Sequence, residues 1–160
     1  MHDDLGHRNS APWSITLYQN LDIMKIAIHK DTPIEEIKKA FSATWPHLKL
    51  VFFTKPHEVH HGTGAKFMID DDTQTVGQIV PTFAADGELL VAAGTTVWQL
   101  EQQLEKEFGL HVHVFRRSGE TWLQSTVSDD LTLAQQEARG TASDQQSIYI
   151  PDPIDYREQD

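Results

Sequence analysis

The chain has 160 residues, and its 24 acidic and 13 basic side chains give a formal charge of −11 with the nine histidines neutral. At 39% hydrophobic residues and a mean hydropathy of −0.44 there is apolar material for one packed core, but no window approaches the roughly 18 to 20 unbroken apolar residues of a membrane span. The absence of cysteine removes disulfides, thiolate metal sites and cysteine nucleophiles, and the start, Met-His-Asp-Asp, lacks the regions of a signal peptide, so a cytoplasmic protein is expected.

Residues 1–23 carry little pattern and read as a weakly ordered leader, which makes Met24 a candidate start for the folded part. Residues 24–28 alternate as a strand. Thr32, Pro33 and Glu35 then supply an N-cap hydroxyl, a proline at the first helical position and a capping-box glutamate. Ile34, Ile37, Phe41 and Trp45 follow at helical spacing, Pro46 ends the run, and 48–53 is a second strand. After a polar loop, Thr75 starts a short helical turn. The strand-helix-strand unit then recurs: 89–93 is a strand, Thr96 starts a helix with Leu100, Leu104 and Phe108 in its stripe, Gly109 stops it, and 110–115 is a strand. Ser118-Gly119 is expected to turn the chain into a fifth strand at 121–126. Asp130 or Thr132 then caps a helix over 131–139, which Gly140 stops.

Two such units predict an α+β domain over 24–140, a split βαβ (ferredoxin-like) sheet of order 4-1-3-2, extended by the hairpin strand and the last helix. A β-grasp-like arrangement of the same elements is the alternative. Residues 141–160 hold five acids against one arginine and read as an acidic disordered tail.

Val114-Phe115-Arg116-Arg117-Ser118-Gly119 followed by Trp122-Leu123, and Asp129-Asp130-Leu131-Thr132-Leu133 with Gln135-Gln136, resemble a pattern in a family of small bacterial proteins to which no activity is assigned. The likeness spans 24–140, and it implies no catalytic or binding residue.

Alternation puts His29, Val51, Phe53, His111, His113, Phe115 and Trp122 on the sheet face away from the helices, an aromatic surface suited to a protein partner or a homodimer. The expected hairpin pairs Phe115 with Trp122 and Val114 with Leu123, the latter two as core residues. In a 4-1-3-2 sheet His29 lies beside His111 and His113, and three imidazoles with an open position suit zinc or another divalent metal. Ordinary exposed histidines are the favoured alternative, because no acid at a neighbouring outward position offers a second partner. His57, His60 and His61 suit a divalent ion only in a helical turn, whereas Pro56 and the glycines favour an irregular, solvated loop, from which Glu58 is the candidate base for the His29, His111 and His113 trio. Gly62-Thr63-Gly64-Ala65-Lys66 lacks the spacing and the Lys-Ser/Thr ending of a phosphate loop, and Asp70-Asp71-Asp72 lacks the late glutamate of a calcium loop. A non-enzymatic interaction module is therefore the leading expectation and a metal-dependent enzyme the alternative. RNA binding ranks third, since the charge opposes phosphate and only Lys38-Lys39 and Arg116-Arg117 are paired cations.

Overall fold

Met24, Ile26 and Ile28 turn to one side of β1 (Ile23–Ile28), and Ile34, Ile37 and Phe41 line the buried face of α1 (Ile34–Thr44), with Trp45 buried at its end before β2 (Leu48–Phe53). The single turn α2 (Val76–Ile79) leads to β3 (Gly87–Ala92), α3 (Val97–Phe108), β4 (His111–Ser118), β5 (Thr121–Gln124) and α4 (Leu133–Gln146). The class is therefore α+β, built from two strand-helix-strand units, a hairpin strand and a last helix. This computed structural model describes residues 23–56 and 63–146, so most of the leader, the histidine loop and the end of the tail lie outside the described residues.

The strand order departs from 4-1-3-2. β1 and β3 form one antiparallel pair, while β2, β4 and β5 form a second antiparallel sheet with β4 in the middle. The register accounts for this pairing. Matching Thr32 to Thr95 puts Ile26 on Leu89, and those two residues face each other across β1 and β3. Matching Leu48 to Leu110 puts Val51 on His113, and those two face each other across β2 and β4. Each strand thus pairs antiparallel with its counterpart in the other unit. Met24, Ile28, Leu50 and Phe52 join Leu89, Val91, Val112 and Val114 in one shared core.

The helix starts follow a related logic, with one correction. Pro33, not Thr32, is the residue before the first helical turn of α1, and no side chain caps it. Its free N–H groups go instead to backbone: Ile34 donates to the Gln74 carbonyl and Glu35 to that of Asp72, while Val76 donates back to Thr32. At α3, Val97 likewise donates to Leu131 and Trp98 to Asp129, while Leu133 donates back to Thr95. Thr75 with Gln78, Thr96 with Gln99 and Thr132 with Gln135 all form reciprocal capping boxes. Gly109 ends α3 in the left-handed region at φ 71°. Gly140 does not end α4, which continues to Gln146, because its missing side chain serves a close approach to His47.

Candidate functional site

The β2–β4–β5 register sets Lys49, Val51 and Phe53 beside Phe115, His113 and His111, and Trp122 opposite Arg117 on the same face. Six of the seven residues expected on the aromatic face therefore share it. Much of it is not open, however. Val51, Phe53 and His113 are buried, because the chain returns along and over this end of the sheet. Thr54 donates to the Phe67 carbonyl, Ile69 to that of Phe52, and the Gln124 side chain to that of Thr63. His111 is half-buried at one end of the face, and Lys49, Phe115 and Trp122 form a half-buried strip at the other. There the Lys49 Nζ sits 4.6 Å from the Trp122 ring centre and 5.8 Å from that of Phe115. Burial, and then the charge of Lys38, lower the pKa of Lys49 from its ordinary value.

The hairpin turn lies one residue later than expected, so each pairing shifts by two. Ser118 pairs with Thr121, so the two loop residues are Gly119 and Glu120, and Gly119 takes a φ of 60° at the first loop position. Trp122 consequently faces Arg117 rather than Phe115, and Leu123 faces Arg116 and is 47% exposed instead of joining the core. Leu123 and Trp122 lie on opposite faces of the edge strand.

His29 is not beside His111 and His113. β1 pairs with β3, which removes the adjacency of β1 and β4 on which the zinc trio depended. His29 is exposed and lies 3.1 Å from Asp86, while Thr32 accepts its backbone N–H. Among the described residues no group of three His, Asp or Glu side chains is arranged to hold a metal ion. His57, Glu58, His60 and His61 lie outside the described residues. His111 borders a groove of about 530 Å³ with Phe53, Asp70, Gln74 and Gln78, and its Nδ1 is 3.7 Å from Glu105.

His113 is 1% exposed and packs edge-on against Phe53, with ring centres 4.9 Å apart. Its Nε2 shares a 2.9 Å hydrogen bond with the Thr63 hydroxyl, and its Nδ1 lies 3.7 Å from the buried Glu101 carboxylate. The sequence of groups is hydroxyl, imidazole, carboxylate. Both acid and base are buried, so the array ties the returning segment and α3 to the sheet rather than presenting a base to solvent.

A second polar cluster has no counterpart in the sequence reading. His47 Nδ1 lies 2.6 Å from Glu137 Oε1 and its Nε2 2.8 Å from Asp144 Oδ2, while its backbone N–H donates to Glu137. These bonds, with Glu137 the larger influence, raise the His47 pKa above its ordinary value. Glu137 and Asp144 are two helical turns apart on α4, a spacing that puts them on one face but names no partner across 90 residues of chain.

No protein-family model, curated protein or solved structure matches this chain. Among the described residues no helix is long and apolar enough to cross a membrane.

Proposed function

We propose that this protein is a non-enzymatic self-associating module, and that its contact is the β5 edge with the Lys49, Phe115 and Trp122 strip, met by a second copy. The observation that carries the reading is β5 itself: among the described residues it pairs with β4 alone, with Trp122 half-buried on one face and Leu123 exposed on the other. An unpaired strand edge offers main-chain donors and acceptors, and antiparallel pairing of two β5 strands about a twofold satisfies them mutually. Charge supports a second copy as the occupant, because Lys49 within the strip and Arg117 beside it are cations in a chain that holds 24 acids against 13 basic residues in all. In the same reading, the two strand-helix-strand units are a structural duplication, and the cysteine-free chain works in the reducing cytoplasm.

Sedimentation velocity across a wide concentration range tests the proposal. The expected result is a reversible dimer that Trp122→Ala and Leu123→Lys each weaken by tenfold or more in dissociation constant, on the order of the loss of one interface anchor. A monomer at every concentration, or a dimer indifferent to both substitutions, overturns it.

A further inference from the structure

We propose that His47 is a proton-operated latch: doubly protonated, it fastens the second half of α4 to the start of β2, and loss of one proton releases that half while the first half stays docked.

The geometry requires both protons. Each ring nitrogen meets a carboxylate oxygen, at 2.6 Å for Glu137 and 2.8 Å for Asp144, and an ionised carboxylate only accepts hydrogen bonds. A neutral imidazole has one N–H and one lone pair, so one of these contacts then sets a lone pair against a carboxylate.

The two halves of α4 are held differently. Leu133 is fully buried in the core, and Gln136 is buried with its amide donating to Ser128. Beyond Gly140, Thr141, Ala142 and Gln145 are exposed, and the helix is held by polar contacts: Asp144 to His47 and to Arg117, and the Ser143 hydroxyl accepting from Gly119 N–H. The charged and titratable groups facing the ring are Glu137 and Asp144 from α4 and, through Asp144, Arg117 from β4. Of the side-chain types gathered here, imidazole is the one that ordinarily exchanges its proton near neutral pH, so the His47 proton is the variable. Gly140 completes the device: a Cβ there would lie 2.5 Å from the His47 Cβ, so the bare backbone is what lets the helix come this close.

The latch is tested by NMR on the full chain between about pH 6 and pH 9, following the His47 ring resonances together with amide protection factors corrected for intrinsic exchange. Protection over 141–145 is expected to fall by about tenfold for each pH unit by which the His47 pKa exceeds 6.5, and then to level off. Protection over 134–138 stays constant. His47→Gln removes the pH response, and Asp144→Asn, which leaves the ring in place, lowers the His47 pKa and shrinks the response in proportion. Constant protection over 141–145 through the His47 titration, an equal response in His47→Gln, or a His47 pKa at or below 6.5 each overturns the latch.

Discussion

The Glu101 carboxylate on α3 accepts the backbone N–H of Val114 in β4 at 3.0 Å, and both residues are buried. β5 pairs with β4 only from Phe115 onward, so at Val114 this edge of the strand lacks a neighbouring strand and a side chain takes the place of one. Ser125 closes the same gap from its own side, donating both its N–H and its hydroxyl to the Val114 carbonyl. Replacing Glu101 by Leu leaves a buried N–H without its acceptor and is expected to cost about 1–3 kcal/mol in urea unfolding. Glu101→Gln keeps an acceptor oxygen and is expected to cost less. Equal losses would show that the charge, through His113, matters more than the bond to Val114.

Gly140→Ala tests the approach of α4 to His47. In an exposed helix interior this change stabilises by about 1 kcal/mol, because alanine is the better helix former. Here the added methyl meets the His47 Cβ at 2.5 Å and its carbonyl oxygen at 3.3 Å, so a lower melting temperature is expected. An increase would mean that α4 stands off from β2.

The pH dependence of stability carries a definite sign. His47 has a folded-state pKa raised above 6.5, so its contribution is fully present below about pH 6.5 and is lost as pH rises through the raised value. Urea unfolding at pH 6 and pH 9 is expected to show the wild type more stable than His47→Gln at the lower pH, with the gap narrowing at the higher one. A gap that widens with pH would reverse the assignment.

The hairpin register predicts opposite outcomes at two neighbouring apolar positions. Val114 is fully buried and Leu123 is 47% exposed, so Val114→Ala is expected to cost about 1–3 kcal/mol and Leu123→Ala under about 0.5 kcal/mol. Trp122→Ala removes a ring 4.6 Å from the Lys49 ammonium, an interaction worth about 0.5–1 kcal/mol at a partly exposed site. Chemical denaturation of the three variants orders them. A large loss at Leu123 would restore the register that pairs it with Val114.

By itself the sequence determined the elements that rest on local rules. The strands at 24–28 and 48–53, the stripes of Ile34, Ile37 and Phe41 and of Leu100, Leu104 and Phe108, the helix start at Thr96, the Thr132 cap that stood beside Asp130 as a candidate and the stop at Gly109 each need only a few neighbouring residues, and each is present in the structure. The sharing of one sheet face by Val51, Phe53, His111, His113, Phe115 and Trp122 was legible for the same reason, since period-two alternation is a property of each strand alone.

Tertiary structure decided which strands became neighbours, and with that the fate of the site. Periodicity carries no information about partners, so the pairing of β1 with β3 and of β2 with β4 separated His29 from His111 and His113, and the returning segment buried Val51, Phe53 and His113. The turn moved by one residue: with Gly119 at the first loop position every following pair shifts by two, which keeps Trp122 on its face and sets Leu123 against Arg116, outside the core. His47, Glu137 and Asp144 are unremarkable in the chain and meet only when α4 docks, because the bonds that join them span 90 and 97 residues and no local rule reaches that far.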